Sequence, residues 1–481
     1  MVNSAFATFD RLTTTVHGKP ALPILGSLLL AAFAFALAQT LVAPAIPSLS
    51  REFDTTTSAS SWVLTGFLLS ASVSTPLAGK LGDLFGKARV LSILLLAFSL
   101  GAVICALADS IGQVIAGRVV MGVAGGVFPL AFGIINDEFP AEKRAVAIGL
   151  MSAMFGIGGG VGLPLSGVIV DNVDISWLFW IGLVALPAAV AVIFVVPASP
   201  PRERTRVDWR GALVLSVGLA ARLLGITKAN SWGWDSGATL AFVLGGAAVL
   251  VAFVPLQLRT EQPLVDMRVL GHRPVLATNL TGFLTGMAMF GSFLLVPQFA
   301  QTPEAAGYGF GMTVTQAGLI MVPSSIAMLI SGPLAGTFGN RFGFRAVLVA
   351  GTLFIAGSFT ILAAAHETTF EFIVANILVG VGIAFAFASM ANLIVSLVDP
   401  RDVGIATGIN TIMRTMGGAF GTAIVTALLT ADTIPGSPLP TENAYTEAFT
   451  ISIGLSLLAL LAALFIPRPG RGAEAPAGPR L

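Results

Sequence analysis

Residues Gly79-Lys80-Leu81-Gly82-Asp83-Leu84-Phe85-Gly86-Lys87-Ala88-Arg89 place four charges between two long uncharged runs, Trp62 to Ala78 and Val90 to Leu107. Each run is long enough to cross the hydrocarbon core of a bilayer, so the charged segment reads as a tight turn joining two membrane helices. The same text returns. Pro76-Leu77-Ala78-Gly79-x-x-Gly82-x-x-Phe85-Gly86 recurs 257 residues later as Pro333-Leu334-Ala335-Gly336-x-x-Gly339-x-x-Phe342-Gly343. Two copies of one helix junction predict a duplicated bundle, with the junction at the same place in each half.

Composition agrees with this. Of 481 residues, 55% are hydrophobic and 10% charged, with a mean hydropathy of +0.91, which excludes an ordinary soluble domain. The net charge of +1 gives no electrostatic case for nucleic acid as a partner. The single cysteine, Cys105, lies within an apolar run, and a lone thiol forms neither an intrachain disulfide nor a cysteine-based zinc site. Counting apolar runs that can span a core of roughly 30 Å gives about fourteen membrane helices, an all-α polytopic architecture.

The basic residues test that count, because Lys and Arg collect in alternate, cytoplasmic loops. Twenty of the 25 fall in one set of segments, among them Lys80, Lys87, Arg89, Lys143, Arg144, Arg341 and Arg345. The opposite loops hold only Arg51 and Lys228, and Arg118, Arg222 and Arg414 lie inside spans. Both termini and the Gly79–Arg89 turn are therefore expected on the cytoplasmic side. A second internal match supports the duplication: Ala147-x-Gly149 with Met154, Gly158, Gly159 and Gly162 recurs 259 residues later as Ala406-x-Gly408 with Met413, Gly417, Gly418 and Gly421. Six spans with their loops need about 200 residues. The longer offset leaves room for two extra helices between the halves.

The expected organisation is a cytoplasmic N-terminus (1–22), an N-terminal six-helix bundle (23–197), a linker (198–210), two inserted helices (211–257), a cytoplasmic connection (258–274), a C-terminal six-helix bundle (275–466) and a disordered tail (467–481). Pro197, Pro200 and Pro201 followed by basic residues mark the linker.

With these motifs in order, the sequence resembles the major facilitator superfamily, in particular its fourteen-helix drug:proton antiporter branch. The opening turn is similar to that superfamily's G-x-L-x-D-x-x-G loop, and Arg118-x-x-x-Gly122 to its R-x-x-x-G signature. Gly158-x-x-x-Gly162-Leu163-Pro164-Leu165-Ser166-Gly167 resembles the antiporter signature G-x-x-x-G-P-x-x-G-G, with the proline one place late and Ser166 for a glycine. Trp62-Val63-Leu64-Thr65, Pro263-Leu264-Val265-Asp266 and Gly408-Ile409-Asn410-x-x-x-Arg414 resemble further signatures of the branch. One departure stands out: Ala38 occupies the place of the acidic residue that the branch carries in its first span.

The candidate residues follow from residue chemistry and from the resemblance. Gly79, Gly82 and Gly86 allow a close helix turn, and Asp83 and Lys87, four apart, have the spacing of a pair on one helical face. The resemblance adds Asp137 to this group as a conformational gate that locks the outward-facing state. An arginine within a span needs a partner or an aqueous cavity. Arg414, about ten residues into its helix, or roughly 15 Å, is expected near the bilayer centre in the transport cavity. Arg118 admits a cavity role or bonding to helix carbonyls or Gln39, and Arg222 reads as a snorkelling structural residue. Gln39, Thr40, Gln316, Asn376 and Asn410 are expected to share the cavity, on spans that resemble cavity-lining helices of the family. Gly158, Gly162, Pro164 and Gly167 form an antiporter-like helix built for close approach and sliding.

The acid inventory is negative. All 24 Asp and Glu and the three histidines lie in loops or near span ends. Asp137 and Asp171 remain as poorly placed coupling groups. A cavity holding Arg414 without a carboxylate favours neutral or anionic amphiphiles over cations. No cofactor or metal is expected beyond a suspected proton gradient. The reading is a monomeric secondary transporter in a bacterial plasma membrane that exports hydrophobic or amphiphilic small molecules by alternating access with proton coupling. Its alternative is a lipid or endogenous-metabolite carrier, including a uniporter; an intramembrane enzyme or receptor lacks a nucleophile–base pair or a readout domain.

Overall fold

The protein is described by a computed structural model covering residues 15–16, 19–55, 57–197, 208–261, 263–265, 267–399, 403–437 and 439–467. Most of the expected N-terminal segment and linker, and the tail beyond 467, lie outside the described residues. Among the described residues, fourteen helices are long and apolar enough to cross a membrane. They are α1 (Ala21–Leu41), α2 (Thr57–Phe85), α3 (Lys87–Ala106), α4 (Ile111–Glu138), α5 (Ala141–Asn172), α6 (Trp177–Val195) and α7 (Trp209–Trp232). The remainder are α8 (Gly237–Arg259), α9 (Arg273–Gln301), α10 (Thr315–Phe342), α11 (Phe344–Ala364), α12 (Thr369–Leu397), α13 (Val403–Ala431) and α14 (Glu442–Leu464). Outside them, Thr15–Val16 and Lys19–Pro20 form a two-residue antiparallel pair.

The buried side chains separate into two main cores. One is built from α1 to α6 around Phe35, Phe67, Phe98 and Phe128; the other from α9 to α14 around Phe299, Phe359, Phe387 and Phe449. The architecture is two pseudo-symmetric six-helix bundles with α7 and α8 inserted. In lipid, apolar surface alone does not hold helices together, so small residues that admit close approach do that work. They do it identically in both halves. A Cβ at Gly158 or Gly162 on α5 would strike Ala36 or Thr40 of α1, and one at Gly417 or Gly421 on α13 would strike the backbone of Phe283 or Met287 on α9.

The opening turn is shorter than its sequence suggests. Helix α2 runs on through Gly79, Lys80 and Asp83 to Phe85, and the chain reverses at Gly86 alone, with φ 92°, before α3 begins at Lys87. Asp83 and Lys87 therefore sit on different helices and not on one helical face. A positive φ at one residue suffices because glycine has no Cβ to clash there. The second copy behaves alike: α10 ends at Phe342, Gly343 has φ 88°, and α11 starts at Phe344.

Helices α7 and α8 pair with each other and are pinned at one end by Asp208. Its carboxylate accepts from Gly211 N at 2.8 Å and from Gln257 Nε2 at 2.6 Å, and Gln257 Oε1 accepts from Val265 N at 3.0 Å. The Pro263–Asp266 signature thus contributes a backbone anchor for the inserted pair. Helix α7 covers the seam between α2 and α13. There the Arg222 guanidinium lies 5.8 Å from the Phe420 ring and Lys228 Nζ 5.3 Å from the Trp62 ring. Arg222 faces α13 and does not snorkel outward as expected, because Phe420 offers its side chain a π face within reach.

Candidate functional site

Of the residues expected to form a gate, Gly82, Asp83, Lys87 and Asp137 come together at the end of the bundle that carries Lys80, Lys87 and Arg144. Lys87 is 3% exposed, and its Nζ lies 2.6 Å from Asp137 Oδ2 and 4.0 Å from Asp83 Oδ1. Its stem passes between two glycines: a Cβ at Gly133 would lie 3.0 Å from Lys87 Cδ, and one at Gly82 3.4 Å from its Cγ while striking Leu130. The ammonium thus joins the start of α3 to the end of α4. Glu138, the residue after Asp137 and not among the expected site residues, is also buried.

The interface between the two cores is closed along its length on one side. On α5, Gly149 abuts the Gly332 carbonyl, Gly156 meets Met328 and Gly160 meets Ser325. Toward the other end, a Cβ at Gly318 would lie 2.9 Å from Pro164 and one at Gly167 3.1 Å from Thr315 Oγ1. Helix α5 therefore has two glycine faces. Gly158 and Gly162 point to α1 within their own half, while Gly149, Gly156 and Gly160 meet α10 of the other. On the opposite seam, a Cβ at Gly408 of α13 would lie 3.4 Å from Thr75 of α2 and 3.5 Å from Pro129 of α4.

Between these seams lies a cavity lined by Phe35, Gln39, Leu68, Ala71, Ser72, Thr75, Gly125 and Phe155 from the first half and by Thr411, Ile412 and Thr415 from α13. Its volume is about 20 Å³. A water needs roughly 10–15 Å³ on the same measure, so this cavity has room for about one water.

Arg414 adjoins this cavity. It is 5% exposed, donates from Nη2 to Thr411 Oγ1 at 3.2 Å, and lies 4.1 Å from the Phe387 ring centre and 4.9 Å from that of Phe155. Phe155 stacks in turn on Phe128, with centroids 3.8 Å apart and planes at 14°. Asn410 belongs to the same neighbourhood: its Nδ2 donates to Asn279 Oδ1 at 3.1 Å, and both Asn410 and Arg414 flank Gly282 of α9. Sequence reasoning missed Phe155, Phe387, Thr411 and Asn279. Nothing in an apolar run distinguishes a phenylalanine beside a cation from one in a core.

The other expected cavity residues lie elsewhere. Arg118 is 0% exposed and enclosed in the first half, with Nε donating to Val63 O at 3.2 Å and the guanidinium 4.2 Å from the Phe67 ring. It bonds a helix carbonyl and not Gln39. Thr40 donates to Gly158 O at 2.8 Å and serves the α1–α5 crossing. Asn376 donates to Phe372 O in its own helix at 2.9 Å, within the second core. Gln316 is exposed and forms a capping box with Thr313, because it is the third residue of the helical turn Val314–Leu319 that opens α10. Of the expected cavity residues, Gln39 lines the cavity, Arg414 contacts its lining residues Thr411 and Phe155, and Asn410 neighbours Arg414 at Gly282.

The family model described as "Major Facilitator Superfamily" matches residues 28–308 and 278–480. The chain belongs to the major facilitator superfamily. It is a multi-pass membrane transporter and not an enzyme. Among similar proteins, the "Multidrug transporter protein MdtP" of Bacillus subtilis is 27% identical over 85% of this chain and 75% of its own length. The "Multidrug resistance protein B homolog" of Mycobacterium tuberculosis is 30% identical over 81% of this chain and 73% of its own length. The "Tetracenomycin C resistance and export protein" of Streptomyces glaucescens is 27% identical over 86% and 77%. Among solved structures, the human organic anion transporter MFSD10 shares the fold, with a TM-score of 0.63 and 16% identity over 92% of this chain and 99% of that one.

Proposed function

We propose that this transporter exports hydrophobic or amphiphilic small molecules, neutral or anionic in preference to cationic, across a bacterial plasma membrane by alternating access. The Lys87 cluster and both termini face the cytoplasm, the protein works as a monomer, and the proton gradient drives export. The names of the multidrug and tetracenomycin relatives support the export reading. The charge preference is carried by one observation: Arg414 adjoins the central cavity with no carboxylate among its described contacts. A cation there repels a cationic solute and leaves N–H donors for an anion. In the account of movement, the ammonium of Lys87 holds α3 to α4 while the cytoplasmic end is closed, and the glycine face of α5 allows the two halves to rock.

A second reading, uniport or exchange of an endogenous amphiphile, is favoured by Ala38. This buried residue stands where the branch carries an acid, and no Asp or Glu among the described residues lies mid-span. Proteoliposomes with imposed pH and voltage gradients separate the two. Export that follows the pH gradient supports proton coupling; movement indifferent to it removes the antiport assignment. Transport unchanged in Arg414→Ala removes the charge preference.

A further inference from the structure

The clamp around Arg414 is assembled from both halves. Phe387 lies on α12 and Arg414 on α13, within the second bundle, whereas Phe155 lies on α5. Phe155 is tied to the first bundle by its stack on Phe128. When the halves separate, Phe155 leaves with α5 and Phe387 stays with Arg414. The guanidinium has five N–H donors, and one of them has a partner among the described residues, Thr411. A cation buried this deeply needs compensation, and an aromatic face over a desolvated guanidinium provides it.

We infer that Phe155 acts as a built-in substitute for the anionic substrate, a positioning residue that neutralises Arg414 when the empty carrier closes. This rests on the proposed anion preference and deepens it. A carrier whose central cation is compensated only by substrate cannot close empty, and so exchanges one anion for another. A carrier that supplies its own π face closes empty, returns, and performs net export. An entering aromatic anion pairs with the free N–H groups of Arg414 and takes the place of the Phe155 ring against the guanidinium. The substrate class that suits this exchange is a flat aromatic acid, its ring replacing one ring of the clamp and its anionic group meeting the donors that the ring cannot satisfy.

The test uses the full-length protein in proteoliposomes with radiolabelled naphthalene-1-sulfonate, which remains a monoanion at all working pH values. Efflux is measured into probe-free medium, which requires empty return, and into medium with excess unlabelled probe, which does not. Phe155→Leu is expected to lower net efflux about tenfold, the scale of a desolvated cation–π contact, while exchange stays within about twofold. Phe155→Tyr, which keeps the π face, retains both modes. Phe387→Leu removes the ring that accompanies Arg414 in every state and lowers both modes together. The inference is overturned if Phe155→Leu lowers both modes equally, leaves both unchanged, or matches Phe387→Leu. A wild-type protein that moves a neutral amphiphile but not the sulfonate in either mode defeats the anion preference itself, a different failure.

Discussion

Among the described residues two arginines are buried, and their surroundings differ in one respect. Arg118 touches Val63, Phe67 and Met121, all within one bundle, so its environment travels with it. Arg414 touches Thr411 and Phe387 on its own side and Phe155 across the interface. Equal burial therefore does not mean equal role. A cation with partners in one rigid body is part of that body's core, whereas a cation with partners in two bodies must exchange them whenever the bodies move.

The largest effect that sharpens this contrast is expected from Arg414→Ala. Losing charge-assisted hydrogen bonds to an anion, at about 3 kcal/mol, lowers anion transport roughly a hundredfold. Arg118→Met, by comparison, should alter the melting temperature of the purified protein more than its affinity for the anion, and an affinity loss equal to that of Arg414→Ala would erase the distinction. Next comes the interface. A Cβ at Gly160 already overlaps Ser325 across the seam, so Gly160→Val is expected to cut transport about tenfold, the order of an overpacked core contact, with folding retained by fluorescence-detected chromatography. At the Lys87 cluster the distances set the order: Asp137→Asn removes the 2.6 Å partner and Asp83→Asn the 4.0 Å one. Initial transport rates should fall further in the first, and Asp83→Asn should lose roughly threefold or less, as for a weak ion pair. Smallest is Gln316→Ala, a change at an exposed helix start, where transport stays within about twofold because the N-terminal turn keeps its Thr313 cap.

The parts of this molecule legible in its sequence are those written in local periodicity. Fourteen apolar runs and two glycine-marked repeats specify the helices and their duplication, since each span must satisfy its own backbone and each close crossing needs a small residue. Less legible was anything that depends on which helix lies beside which. Asp83 and Lys87 look like a helical pair until Gly86 separates them onto two helices. Gln316 follows Thr313 by three residues, a capping spacing hidden by the apolar residues around it. The faces of α5 could not be assigned from its glycine row, because five glycines within seven residues leave no single stripe. Phe155 illustrates the limit most sharply. Its part in the site comes from a guanidinium contributed 259 residues away, on the pseudo-equivalent helix α13 of the other half.

The most direct measurement of the central claim is charge selectivity at Arg414, read as transport of naphthalene-1-sulfonate against the size-matched cation 1-naphthylmethylammonium in proteoliposomes of wild type and Arg414→Ala. The account predicts that wild type favours the sulfonate by at least about tenfold and that Arg414→Ala loses or reverses this preference. A wild-type preference for the ammonium, or a preference unchanged by the substitution, would contradict it.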